Sequence, residues 1–254
     1  MDVITAVSNP HVKALRALYT KKGREEAGLY PVEGVNIVKD IPPEQRVQAY
    51  YIAASRAEEL MGLVKDPAAS VYVLADDLMR RVAETVTPSG IVAVLPIPAS
   101  DDSWRVADKV LVMDGVSDPG NVGTMMRTAI AADYRHVVML GGVDPYNPKV
   151  VRASMGGIYR LSVHCLTAVD FDTDTTVLLL DMAGDNVFDV RPMGRYALVV
   201  GSEASGASDA MRARADRVVS IPMTGGIESL NAAVAAAVGM YVINANSSGA
   251  DVPQ

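Results

Sequence analysis

The 254-residue chain contains a single cysteine, Cys165, so no disulfide can close within it, and a reducing setting, the cytoplasm, is expected. Cys165 itself reads as a small core residue. Aromatic residues make up only 5% of the sequence, so Val, Met and small side chains must fill the core that a 50% hydrophobic composition permits. The apolar run near the C-terminus, Ala232 to Ile243, is interrupted by Gly239 and is too short to cross a bilayer. The first residues, Met1 to Asn9, have neither the basic nor the apolar region of a secretion signal, so none is expected. No G-x-G occurs, which removes the dinucleotide fingerprint, and no G-x-x-x-x-G-K-[ST], which removes a P-loop. His11, His136 and His164 lie far apart. With one Cys beside them no zinc or other metal site is expected, and each reads as an ordinary surface or strand residue.

The formal net charge of −7 argues against general affinity for nucleic acid. The bases are nevertheless clustered. Between Asn9 and Arg24 stand Lys13, Arg16, Lys21, Lys22 and Arg24 with no acid, a local charge of +5. Such a segment suits either a solvated helix face or selective contact with phosphates.

Asn9-Pro10 reads as an N-cap with Pro at the first helical position, and Val12, Leu15 and Leu18 recur on one face of the helix that follows. Strand-like runs at 29–32, 47–53, 71–74 and 91–95 alternate with helical stretches at 33–39, 56–64 and 77–84, the pattern of a small α/β domain. Residues 96–105 contain two prolines and a polar cluster and read as a linker. A second alternation follows in 106–254. Strands are expected at 110–113, 137–140, 177–181, 197–201 and 217–221, those at 177–181 and 197–201 continuous and apolar as buried parallel strands are. Helices are expected at 122–132, 149–155, 208–215 and 229–244, with a frayed tail from Asn246.

Three loops in this second part are far richer in Gly, Asn, Ser and Pro than a core requires. They are Asp118-Pro-Gly-Asn-Val-Gly-Thr-Met-Met-Arg127, Gly201-Ser-Glu-Ala-Ser-Gly206 and Ile221-Pro-Met-Thr-Gly-Gly-Ile-Glu-Ser-Leu-Asn231. The first two follow strand-like runs directly, where open α/β sheets bind ligands. Asn121 could serve as a helix cap or as a site residue. Arg127, six residues on and about 120° around the helix, could face solvent or hold a phosphate. Glu203 could be a helix-terminal carboxylate or the anchor of an arginine. Ser229 is a plausible cap, whereas Asn231 has no packing purpose among alanines. The small side chains after Asn231 allow close approach to a neighbouring helix or a second subunit.

Taken in order, these loops resemble those of the SpoU-type (TrmH-like) RNA ribose 2′-O-methyltransferases of the SPOUT class. The resemblance extends over nearly the whole chain. It includes Asp144-Pro-Tyr-Asn-Pro-Lys-Val-Val-Arg-Ala-Ser-Met155 and, from Asn9-Pro10 to Val32-Glu33-Gly34, the N-terminal substrate-binding domain of many members. One departure is Ser202, where many members carry Asn before the glutamate.

The resemblance implies an RNA-binding domain at 1–95 with an α/β, ribosomal-protein-L30e-like fold. It implies a catalytic α/β domain at 106–254 with a parallel sheet and a deep trefoil knot. S-adenosylmethionine would bind in the knot against Gly201, Gly206, Ile221, Met223 and Leu230. A ribose 2′-hydroxyl would then displace the sulfonium methyl group without a metal. Asn121, Arg127, Glu203, Ser229 and Asn231 would form the catalytic wall, with Glu203 orienting Arg127. Arg127 has been viewed as a general base in such enzymes, but an arginine stays protonated, so an electrostatic clamp fits it better. Lys13, Lys21, Lys22 and Arg24 would contact RNA, ribosomal rather than transfer RNA, and the enzyme would be a homodimer. Three alternatives remain at this point: a transfer-RNA enzyme, a base methyltransferase of the same fold, and a non-catalytic RNA-binding module.

Overall fold

Alternating strands and helices build two sheets, each inside its own compact unit. The computed structural model describes residues 2–85, 87–226 and 229–247. One unit comprises the chain up to Pro98 together with Tyr146–Tyr159, and the other comprises Ala99–Pro145 and the chain from Arg160 onward. Among the described residues no helix is long and apolar enough to cross a membrane.

The first unit runs β1 (Val3–Ile4), α1 (Pro10–Ala17), α2 (Lys21–Ala27), β2 (Leu29–Glu33), α3 (Val35–Lys39), β3 (Ala49–Ala53), α4 (Ala57–Leu60), β4 (Ser70–Leu74), α5 (Asp76–Val82) and β5 (Ile91–Pro96). Its sheet has the order β1-β4-β3-β5-β2, with β5 antiparallel to both neighbours and the rest parallel. Asn9 caps α1 by accepting from the His11 N–H at 2.9 Å, and Val12, Leu15 and Leu18 enter the core. An eight-residue helix is too short to persist alone, so the burial of these residues, roughly 1.5–3 kcal/mol for each large side chain, holds it.

The basic segment is two helices, not one. Thr20 caps α2 by accepting from the Gly23 N–H at 3.1 Å. A Cβ on Gly23 would lie 2.0 Å from the Ala17 carbonyl oxygen, so only glycine allows the two helices to meet there. This packing corrects the expectation for Arg24. It is buried, 2% exposed, and its Nη1 donates to the Leu18 carbonyl at 2.8 Å, tying α2 to the end of α1. A guanidinium so enclosed is not offered to a phosphate.

The second unit contributes β6 (Lys109–Asp114), α6 (Pro119–Ala131) and β7 (His136–Leu140). The chain then forms α7 (Pro148–Ala153), which lies with Tyr146 in the first unit, where the Tyr146 and Tyr30 rings are 4.9 Å apart. It returns through β8 (Ser162–Leu166), β9 (Thr175–Asn186), β10 (Arg195–Gly201), α8 (Asp209–Arg214), β11 (Arg217–Ser220) and α9 (Ala232–Ser247). The sheet order is β11-β9-β10-β6-β7-β8, parallel throughout. Leu111, Val112, Leu198 and Val199 of its middle strands are fully buried, the both-faces burial of a parallel sheet. β1 and β8 were not expected from sequence. Helix α9 starts three residues later than expected and includes Asn246, while 248–254 lie outside the described residues. Its small face, with Ala233, Ala236 and Gly239, turns inward. A Cβ on Gly239 would lie 3.4 Å from Leu180 and Leu198, so this face serves packing onto its own sheet.

Edge strand β8 turns His164 inward and Cys165 outward, so Cys165 is exposed and is not a core residue. His164 stacks on His136 at 5.7 Å, near Asp101. Burial holds both imidazoles below the ordinary histidine pKa of about 6.5, with the Asp101 carboxylate opposing. The folded state therefore binds protons less readily than the unfolded one. Stability from this pair is complete above about pH 6.5 and falls as the pH drops toward the folded-state pKa values. Denaturant titrations between about pH 8 and pH 5 should show this loss, and His164→Gln should reduce its slope. An identical slope in that variant would contradict the assignment.

Candidate active site

Strands β6 and β10 are neighbours, yet the chain leaves β6 toward β7 on one side and reaches β11 from β10 on the other. This is a topological switch point, where the loops beyond the strand ends diverge and leave a crevice. A cleft of ≈ 1030 Å³ opens beside this point, on the β9 side of β10, walled by Leu180–Met182 within β9, the end of β10, the loops after β10 and β11, and the start of α9. Gly201, Gly206, Ile221, Met223 and Leu230 all line it, as do Glu203, Ser229 and Asn231. Ile227 and Glu228 of the third loop lie outside the described residues.

The loop after β10 is a closed turn. Ser202 and Gly206 exchange backbone hydrogen bonds at 2.9 and 3.0 Å, and the Ser202 hydroxyl accepts from the Ser205 N–H at 3.1 Å. Serine thus supplies the local bonding at the position where the sequence departs from the family pattern. Gly206 adopts a left-handed φ of +69°. A Cβ on Gly201 would sit 2.2 Å from the Ala207 nitrogen and 2.3 Å from the Gly206 carbonyl carbon, so no side chain fits there. The buried Asp114 at the end of β6 accepts from the Ser208 N–H at 2.6 Å and anchors the exit of the turn. Sequence reasoning missed Asp114, whose only signal was an acid ending an apolar strand.

Asp118 and Pro119 start α6, the Asp118 carboxylate accepting from the Asn121 N–H at 2.8 Å. That frees the Asn121 side chain. Its Nδ2 donates to Glu203 Oε1 at 2.6 Å, and its Oδ1 accepts from Asn231 Nδ2 at 2.9 Å. Asn231 is the cap of α9, since its Oδ1 accepts from the Ala233 and Val234 N–H groups at 2.9 and 3.2 Å. The capping duty fixes the orientation of both amides: Asn231 must turn its nitrogen to Asn121, and Asn121 its nitrogen to the carboxylate. One directed chain, Asn231 to Asn121 to Glu203, therefore joins all three loops.

Arg127 stands outside this chain. It is exposed on α6 and forms no ion pair or hydrogen bond among the described residues, so the expected contact with Glu203 is absent; Glu203 engages Asn121 instead. Ser229 is exposed beside Asn231 and does not cap the helix.

Residues 108–241 match the SpoU rRNA Methylase family, and residues 9–93 match the MRM3-like substrate binding domain. The chain belongs to the SpoU rRNA methylase family. Among its relatives in that family, the 23S rRNA (guanosine(2553)-2′-O)-methyltransferase RlmP of Bacillus subtilis (strain 168) is 30% identical over 95% of this chain and 98% of its own length. The 23S rRNA (uridine(2479)-2′-O)-methyltransferase of Streptomyces viridochromogenes is 33% identical over 73% of this chain and 69% of its own. The crystal structure of the SpoU methyltransferase AviRb from Streptomyces viridochromogenes in complex with AdoMet superposes with a TM-score of 0.81 at 28% identity, covering 93% of this chain and 97% of that one. Membership of the family agrees with the α/β fold and the parallel sheet described above.

The first unit presents a different surface. Lys13, Lys21 and Lys22 are exposed around the two short helices. Lys21 and Lys22 pair with Glu25 and Glu26 at 3.7 Å, exposed pairings worth only about 0.3–0.5 kcal/mol and easily exchanged for another anion.

Proposed function

We propose that the chain is an S-adenosylmethionine-dependent methyltransferase acting on the ribose 2′-hydroxyl of one nucleotide of 23S ribosomal RNA. The observation that carries this reading is the Asn231–Asn121–Glu203 chain standing at the rim of a glycine-walled cleft. Two relatives named as 23S rRNA ribose methyltransferases support the substrate class. The residues fit the cofactor. The cleft has the volume of a small-molecule site, Gly201 lets the Ser202–Gly206 turn close tightly along its wall, and Leu180, Ile221 and Leu230 give it apolar walls. When bound, S-adenosylmethionine supplies an electrophilic methyl group.

The chain's own residues supply position and charge. Gly201, Gly206, Ile221, Met223 and Leu230 hold the donor. Asn121, Glu203, Ser229 and Asn231 form the polar wall that orients the sugar. Arg127 acts from α6 as a clamp on the adjacent phosphate and the developing alkoxide, which eases loss of the hydroxyl proton to solvent water as the methyl group leaves the sulfur. We assign RNA recognition to residues 1–95 and catalysis to 106–254, joined by 96–105, with the trefoil knot of the class around the cleft and a cytoplasmic location.

Lys13, Lys21 and Lys22 are assigned to RNA phosphates. Replacing all three by Gln should weaken RNA binding and flatten the log K against log[salt] plot, by roughly 0.7 for each single-strand phosphate that is no longer neutralised. An unchanged slope would remove them from the interface. A homodimer through α9 is also part of the proposal. Val234 and Tyr241 are exposed apolar residues seven apart on α9, free of the inward-packed small face. Light scattering should give twice the chain mass, and a monomer mass would contradict this.

Nucleoside mass spectrometry tests the activity itself. Unmodified 23S RNA incubated with the protein and labelled donor should yield one labelled 2′-O-methylnucleoside. A label on a base, or no transfer, overturns the proposal.

A further inference from the structure

Strand β9 does not stay in register with β11. Val218 lies opposite Leu179, but the next residue, Val219, lies opposite Asp185, so residues 180–184 leave the ladder on that side. The excursion delivers Leu180, Asp181 and Met182 to the wall of the cleft. Asp181 is held there firmly. Its Oδ1 accepts from the Met182 N–H at 2.6 Å, and its Oδ2 lies 2.7 Å from Nη1 of Arg212. Arg212, on α8, lines the same cleft and donates from Nε to the Ala207 carbonyl at 3.2 Å. Its Nη2 lies 2.7 Å from where a Cβ of Gly206 would be, so the guanidinium covers the left-handed glycine. A single ion pair thus fastens the excursion of β9 to the turn that follows β10.

The charge of this pair matters because of what the cleft would receive. Asp181, Glu203 and Arg212 are the charged residues among the described lining. A guanidinium standing alone would repel a sulfonium cation across a partly desolvated cleft, where Coulomb energies are several times those in water. We infer that Asp181 and Arg212 are a charge-balanced clamp: Arg212 positions the Gly201–Gly206 turn, and Asp181 cancels its charge, so that Glu203 sets the net charge of the lining and the guanidinium does not repel a cationic donor. The inference rests on the reading of the cleft as a cofactor site. It makes the two residues positioning and selectivity determinants, not catalytic residues.

Calorimetric titration of the full chain with S-adenosylmethionine and with S-adenosylhomocysteine tests this, since only the first carries the sulfonium charge. Asp181→Asn should weaken binding of the cation on the order of fivefold more than binding of the thioether. Arg212→Met should move the ratio the opposite way, toward the cation, because it leaves the carboxylate uncompensated. Arg212→Lys, which keeps the charge, should hold the ratio within about twofold of the parent. Both shifts should shrink at high salt. A merely structural role would weaken both ligands together. Ratios unmoved in Asp181→Asn and Arg212→Met, or moved in the same direction, overturn the inference while leaving the cofactor site intact. If Asp181→Asn fails to fold, the direction of the Arg212→Met shift decides alone. If the parent protein binds neither ligand, the reading of the cleft falls, and the clamp with it.

Discussion

Arg127→Ala is expected to lower the methyl-transfer rate roughly 100- to 1000-fold, the cost of removing one preorganised charge from a developing oxyanion. The dissociation constant for S-adenosylmethionine should stay within about twofold, because Arg127 is not part of the cleft lining. Its exposure on α6, without an ion pair among the described residues, leaves the guanidinium available to a phosphate. A built-in partner would have to be broken first. Arg127→Lys should recover only part of the rate, since an ammonium lacks the planar fork that fits phosphate. Single-turnover assays at saturating RNA separate the rate from the affinity. A near-normal rate in Arg127→Ala would remove Arg127 from the mechanism.

Gly201→Ala should have the second large effect, and it should act on binding. The added methyl group would meet backbone atoms at 2.2 and 2.3 Å, which no rotamer can relieve. The turn from Ser202 to Gly206 must therefore shift. Overpacking of this kind costs about 1–3 kcal/mol, and if most of it falls on the bound geometry, donor affinity drops roughly tenfold or more. Asn121, Glu203 and Asn231 remain present in this variant, so the loss belongs to the shape of the turn rather than to the polar wall. Isothermal titration with S-adenosylmethionine measures it. Unaltered affinity would mean that the donor does not lie against Gly201.

Much of the second unit is legible in the sequence because its strands are buried on both faces. Runs such as 110–113 and 197–201 are continuous and apolar, and the Gly-, Ser- and Asn-rich stretches that follow them have no core to fill. The three loops therefore stand out as one set in the sequence alone. What stays hidden there depends on partners distant along the chain. Nothing local says that Asp118 relieves Asn121 of capping, or that Asn231 caps α9 while its nitrogen reaches 110 residues back. Arg24 looks like its basic neighbours, and only the α1–α2 packing withdraws it from solvent. The expectation for Cys165 follows general burial statistics, whereas an edge strand turns it outward. The excursion at 180–184 is invisible because an acid ending an apolar run, as Asp181 does, marks a strand end as readily as a shift of register against a strand far along the chain.

A crystal structure of the protein with S-adenosylhomocysteine bound tests the central claim most directly. The ligand is expected between the Gly201–Gly206 turn and the backbone at Ile221 and Leu230, its sulfur facing the amides of Asn121 and Asn231. Ligand density away from Leu180–Met182 of β9 and the loops after β10 and β11, or a sulfur turned from those amides, would contradict it.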